Sequence, residues 1–346
     1  MRFSTNYVLI FSLFCFLPLT NAEEPTRVYI LAGQSNMEGK GSVETLNHQL
    51  KDPEKAKLFA PIVDGDEFRV RDDVFISYLG GSGVREGQLE IGYATSRQND
   101  RRMFGPELGY GWKMGDKYNQ PVILIKTAWG GKSIDRDFRP PSRGFPKSIE
   151  QHFENRKKKN ENYTREQCEK EYGHFYRLMI DHVKGILDNE ELKKKFGEMK
   201  LAGFVWFQGF NDQFAPTSVE DYEDNMVAFI KDVRKDLNTP DLRFVIGAMG
   251  HGGANQKGKV KMIADAQVAA AAHFDDGSVK TIRTANYWDN VAQDAFEKYW
   301  ADKKNRDVEK WKTFGNDRPY HYLGSPRFFW TVGQEFGNAM LSIEGN

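Results

Sequence analysis

Cysteine is scarce: the 346 residues hold two, Cys15 and Cys168. So few exclude a disulfide-stapled scaffold, and no Cys-x-x-Cys pair exists for a zinc ribbon or a dithiol redox centre. Net charge is absent as well. Lys plus Arg and Asp plus Glu both number 49, so no global field draws the chain to nucleic acid or to an anionic membrane. The basic run at 156–159 sits in a mixed-charge stretch, "ENRKKKNENYTRE", and reads as solvated surface. Long apolar runs are missing everywhere except the N-terminus. There "MRFSTNYVLIFSLFCFLPLTNAEE" has one Arg, an apolar stretch from Tyr7 to Leu19 and small residues up to Ala22. This build predicts a secretory signal peptide over 1–22, too short for a comfortable membrane span, and hence export to the periplasm or the cell exterior. A buried first helix is the competing reading. Cleavage after Ala22 leaves Cys168 alone, so the mature chain is expected to rely on its core and not on a disulfide.

What is present is an alternation. Apolar runs rich in β-branched residues recur at 27–32, 73–79, 121–128, 201–209, 242–250 and 279–287. Between them lie helix-like stretches at 106–118, 165–188, 218–237, 260–274 and 325–341, the third opening on "SVED", a Ser with an acid three residues on. Near-continuous apolar strands alternating with amphipathic helices predict an α/β fold, a central parallel sheet covered on both faces as a three-layer α/β/α sandwich. Residues 38–103 and 135–164 break the rhythm and read as insertions in one domain over 23–346, because no long Pro/Gly/Ser linker divides the chain. "NYT" at 162–164 would be a glycosylation sequon in a eukaryote.

In an open α/β sheet, ligands bind beyond the carboxyl ends of the strands. After the first strand comes Gly33-Gln34-Ser35-Asn36-Met37, after the third Trp129-Gly130-Gly131-Lys132-Ser133, and after the fourth Gln208-Gly209-Phe210-Asn211-Asp212. Before the last helix lies "NDRPYHYLGS", with His321. Together these are the parts of an acyl-transfer site. A serine needs a base near neutrality, usually His, and a tetrahedral oxyanion needs preorganised donors. The Ser35 N–H, a glycine N–H at 130 or 131 and the Asn211 amide are natural donors. Other chemistries fail on spacing. A phosphate loop ending in Gly131-Lys132-Ser133 needs glycine at 126, where Lys126 stands; an α/β-hydrolase elbow needs glycine at 37, where Met37 stands. There is no His-Glu-x-x-His, and "GGSG" at 80–83 lacks the dinucleotide fingerprint.

The four blocks resemble those of the SGNH hydrolases. "GQSNM" (33–37), "WGGKS" (129–133) and "WFQGFND" (206–212) are similar to the sialate O-acetylesterase-like carbohydrate esterases. That resemblance implies a flavodoxin-like sandwich and a secreted serine esterase removing O-acetyl groups from a carbohydrate, without metal or cofactor. It implies Ser35 as nucleophile, His321 as general base, and the Ser35 N–H, Gly131 and Asn211 as oxyanion hole. Gln34, Gly130, Trp206, Gln208 and His251 are expected in the substrate cleft, and "FGPELG" (104–109) along its border. The family's acid commonly stands three residues before its His. Here position 318 is Arg, and the nearest acid is Asp317, four before His321; either Asp317 or a backbone carbonyl orients the imidazole.

Each residue also has a plainer reading. Ser35 is a turn or cap serine, Gly130 and Gly131 permit a turn, and Asn211 and Asp212 make an Asx-turn. His251, after the fifth strand, competes with His321 for the base. Trp129, Trp206, Phe207 and Phe210 suit stacking on a sugar ring, and core packing explains them equally well. The competing function is a catalytically weakened carbohydrate-binding protein on the same scaffold. The expected partner is an acetylated carbohydrate, with no nucleic acid and no stable membrane insertion. Which sugar, and which oligomeric state, the sequence leaves open.

Overall fold

A computed structural model describes residues 24–95 and 102–345. The expected signal peptide and Cys15 lie outside the described residues. Seven strands form the main sheet: β1 (Thr26–Gly33), β2 (Arg71–Gly80), β3 (Gly83–Leu89), β4 (Val122–Ala128), β5 (Met199–Phe207), β6 (Arg243–Ala248) and β7 (Val279–Arg283). Their order is β7-β6-β5-β1-β4-β2-β3. All neighbours run parallel except β3, which returns antiparallel to β2. The block β4-β1-β5-β6-β7 has the flavodoxin-like order, strands 2-1-3-4-5 in sequence terms, with β2 and β3 added outside β4.

Strand β1 explains why the sheet is covered twice. Its "TRVYILAG" is apolar on both faces, and successive side chains point to opposite sides. Tyr29 and Leu31 join one buried cluster with Leu124, Phe207 and Val245, under helices Pro106–Gly115 and Pro326–Glu344. Val28, Ile30 and Ala32 join the other with Ile125, Trp206 and Phe244, under helices His174–Leu187, Tyr222–Asp236 and Gly258–Ala271. The sandwich is therefore α/β/α, as expected. The first and last long helices lie side by side at glycine contacts. A Cβ on Gly109 would meet the Trp330 carbonyl oxygen at 2.3 Å, and one on Gly333 would meet that of Pro106 at 2.2 Å.

Several expectations need correction. The sheet is mixed, because the Gly-rich tract after β2 folds back as the edge strand β3. The polar 38–103 region also holds helices Val43–Gln49 and Pro53–Phe59, started by Ser42 and Asp52, whose side chains accept bonds from Thr45 and Glu54 N–H. The 165–188 stretch is two helices, Arg165–Glu171 and His174–Leu187, parted where Gly173 adopts φ +68°. "SVED" does not open the long helix; Ser218 lies within a short preceding helix, Pro216–Glu220. The 279–287 run leaves the sheet at Arg283. Cys168 is buried and unbridged. Among the described residues, no helix is long and apolar enough to cross a membrane.

Candidate active site

Strand register gathers three of the four sequence blocks. Gly33, the last residue of β1, pairs with Ala128 of β4 on one side and Phe207 of β5 on the other. The segments that follow these residues therefore leave the sheet together, at the point where the winding reverses across β1. Ser35 opens a single helical turn, Ser35–Glu38, whose first N–H groups have no acceptor within the turn. The Trp129 N–H donates to the Gly33 carbonyl at 3.2 Å. Gly130 then passes so near that its Cβ would stand 3.9 Å from that of Ser35. Gly131 has φ +71° and open space where a Cβ would be, a conformation that favours glycine and leaves its backbone uncovered.

The fourth block arrives on a strained loop. Tyr322 and Leu323 have φ of 49° and 63°, left-handed values that non-glycine residues rarely hold without support. Support is present. The Asn316 and Asp317 N–H groups donate to the Leu323 carbonyl at 2.8 and 3.2 Å, and the Leu323 N–H donates to that of Arg318 at 3.0 Å. The Tyr322 ring stacks on Phe328 at 3.8 Å, and its hydroxyl accepts from the Gly250 N–H at 2.8 Å. Asn36 of the first block ties the loop down, its amide donating to the Tyr320 carbonyl at 3.2 Å.

The result is a cavity of about 470 Å³ lined by Gln34, Ser35, Gly130, Gly131, Asn211 and His321, with Glu38, Lys40, Phe210, Phe214 and Tyr320 completing its walls. His321 Nδ1 lies 3.1 Å from Asp317 Oδ1, an ion-pair distance without a well-aligned hydrogen bond. Asp317 is thus the acid nearest the imidazole, despite the extra residue between them.

Beneath the cavity runs a polar network. Gln34 Oε1 accepts from Gln208 Nε2 and the Gly209 N–H at 3.2 Å, and from the Asn211 N–H at 3.3 Å. Gln208 Nε2 also donates to Asp212 Oδ2 at 2.6 Å and the Lys132 carbonyl at 2.8 Å. Asp212, fully buried, accepts further from the Ile134 and Asp135 N–H groups at 3.1 Å. Burial pushes its carboxyl up to about 7, and these donors oppose that rise. Gln34 therefore lines the cavity and also holds the Asn211 segment, whereas Gln208, expected in the cleft, is buried beneath it and is not a wall residue; Asp212 is a bridge between two loops, not an Asx-turn.

Several expected cleft residues lie elsewhere. Trp206 does not reach the cavity; it is fully buried against Phe138 and Phe229, its indole N–H donating to Tyr222 at 3.3 Å. Trp129 and Phe207 are core residues too. Of the four aromatics with sugar-stacking potential only Phe210 lines the cavity, where Phe214 and Tyr320 flank it at 5.5 and 5.1 Å. His251 stands behind Phe210, ring to ring at 5.2 Å, and is not a wall residue; burial lowers it to about 4. The 104–109 stretch lies below the cleft, not along it. There Glu107 is buried and pairs with Lys126 at 2.6 Å, and Lys126 Nζ donates to the Glu38 carbonyl at 2.9 Å.

Glu38 and Lys40 were missed by sequence reasoning. Lys40 Nζ lies 3.3 Å from Glu38 Oε2, which also accepts from the Thr95 hydroxyl at 3.3 Å. The signal was available, since Ser35 and Glu38 are three apart and share one face of a helical turn.

A probable carbohydrate esterase of Arabidopsis thaliana is 33% identical over 95 residues, which are 28% of this chain and 32% of that protein. The match thus spans about a third of the length of that curated relative. Three solved structures share the fold, each over 92% of this chain. A protein from Arabidopsis thaliana is covered over 99% of its length, with TM-score 0.52 and 16% identity. A carbohydrate acetylesterase from Xanthomonas citri is covered over 56%, with TM-score 0.53 and 13% identity. NanS is covered over 98%, with TM-score 0.50 and 14% identity. The family model for carbohydrate esterases, sialic acid-specific acetylesterase, matches residues 25–296, ending short of the loop with Asp317 and His321. By that match over most of its length, the chain belongs to the sialic acid-specific acetylesterase family of carbohydrate esterases, which are carboxylic ester hydrolases.

Proposed function

We propose that the protein is an exported esterase that removes acetyl groups from sugar hydroxyls, with Ser35 as nucleophile and His321 as base. His321 takes the proton of the Ser35 hydroxyl as the oxygen attacks the acetyl carbonyl. The tetrahedral oxyanion is held by the N–H groups of Ser35 and Gly131 and by the Asn211 amide. On collapse the carbon–oxygen bond to the sugar breaks, and the imidazolium returns its proton to the leaving sugar oxygen. Water, deprotonated by His321, then attacks the acetyl-serine; acetate leaves and Ser35 regains its proton. Asp317 orients the imidazole and stabilises its charged form.

The observation that carries this reading is that Ser35, Gly131, Asn211 and His321, widely separated in sequence, line one cavity at the carboxyl ends of β1, β4 and β5. The family supports acetyl ester chemistry on a carbohydrate, and the 1–22 segment supports export. Hydrolysis of p-nitrophenyl acetate by wild type and Ser35→Ala tests it. Loss of a thousandfold or more in turnover is expected; equal rates would mean that Ser35 is only a turn residue.

A further inference from the structure

The 135–164 insertion and the segment that follows it through Tyr172, with helix Arg165–Glu171, form one unit with a small core. Ile149, Tyr163, Cys168 and Tyr172 pack together, with Phe153 against them. Glu171 ties the unit internally, accepting from His152 Nε2 at 2.8 Å, Arg156 at 2.8 Å and the Tyr163 hydroxyl at 2.7 Å. Its helix, Ile149–Lys157, buries Ile149 and turns another stripe outward: Ser148, Gln151, His152 and Asn155, spaced as one helical face. That stripe lines a second cavity, of about 300 Å³, whose other wall includes Asn211 and Phe214.

Asn211 and Phe214 also line the cavity of Ser35. The two spaces therefore adjoin across these side chains, and Phe214, 68% exposed, stands at their junction as an uncovered aromatic face. The charged groups of the second cavity are already matched. Asp135 pairs with Arg139 at 3.0 Å, Arg136 with Asp137 at 3.3 Å, and His152 with Glu171 at 2.8 Å. The Ser148 hydroxyl and the Gln151 and Asn155 amides take no part in these pairs. They are neutral groups able both to donate and to accept, which suits sugar hydroxyls and does not favour an anion.

We propose that this second cavity is a subsite for a neutral sugar unit adjoining the acetylated one, so that the preferred substrate is an acetylated oligosaccharide and not a monosaccharide. The assignment rests on the esterase reading above. Gln151 and Asn155 hydrogen-bond the second unit's hydroxyls, and Phe214 packs against a ring face at the junction.

The test compares acetylated xylotetraose and acetylated cellotetraose, each with its acetylated methyl monosaccharide, and p-nitrophenyl acetate as the small reference ester. Wild type is expected to favour at least one tetraose over its monosaccharide by about tenfold in kcat/KM, mainly through KM. The double variant Gln151→Ala/Asn155→Ala, changed at two exposed positions, is expected to lower the ratio of tetraose to p-nitrophenyl acetate rates by about tenfold. No length preference in either series, or a preference that the double variant leaves intact, overturns the subsite while p-nitrophenyl acetate hydrolysis still depends on Ser35. Hydrolysis equally fast in Ser35→Ala overturns the esterase reading, and the subsite with it.

Discussion

Glu107 Oε2 and Lys126 Nζ meet at 2.6 Å with neither side chain reaching solvent. Burial pushes the carboxyl up and the ammonium down, and each charge opposes the other's shift. Lys126 spends its other donors on the Glu38 and Tyr93 carbonyls, at 2.9 and 2.6 Å. The pair thus fastens β4 to the helical turn that presents Ser35. Glu107→Gln should leave the ammonium without its counter-charge and cost roughly 3–5 kcal/mol of stability. Urea denaturation measures it; a loss under about 1 kcal/mol would show that the pair is not held as a charged unit.

Asn211→Ala removes an amide from the cavity wall. If that amide donates to the oxyanion, kcat on p-nitrophenyl acetate falls by about 10²–10³ with little change in KM. A rise in KM with kcat intact would assign Asn211 to substrate binding instead. Steady-state kinetics separate the two.

Asp317→Ala addresses the departure in spacing. Losing the residue that orients a catalytic histidine can cost up to about 10⁴ in turnover. Asp317 sits beside Nδ1 without a well-aligned bond, so a fall of about 10²- to 10⁴-fold in kcat is expected. Turnover within a factor of about three of wild type would leave the orientation of His321 to the backbone of its strained loop.

His251 makes a pH prediction. Its ordinary value is 6.5 and burial takes it to about 4. Between those values the unfolded chain binds a proton that the native chain refuses, so stability falls as pH drops from about 6.5 to about 4. The full effect is on the order of 3 kcal/mol. His251→Gln should flatten that part of the profile, as read by chemical denaturation at several pH values. An unchanged acid slope would mean that other groups carry it.

Much of this was legible beforehand, and the reasons are local. β1 announces itself because "TRVYILAG" is apolar on both faces, which only a doubly covered strand tolerates. Ser35, Gly130, Gly131 and Asn211 could be singled out because each follows such a strand, where an open sheet leaves room for a ligand. Strand β3 escaped notice because its "GVREGQL" sets Arg, Glu, Gly and Gln between its two apolar residues, as an exposed edge allows. The helix Val43–Gln49 escaped because its short length carries too little periodicity.

The sequence by itself determined which backbone segments become buried strands, and so which polar residues emerge at their carboxyl ends. That information is local, carried by side-chain hydrophobicity at period two and by glycines at turns. Tertiary structure alone decided how those ends meet. The register of Gly33 with Ala128 and Phe207, the order of strands around β1, and the anchoring of the Tyr320–Tyr322 segment to Asn36 and Gly250 depend on contacts between residues tens to hundreds apart. It also decided the fate of the aromatics. Trp206 and Phe214 are both large apolar side chains near one sequence block, yet one fills the core and the other stands in water. Burial belongs to the packed layers around a side chain, not to its identity.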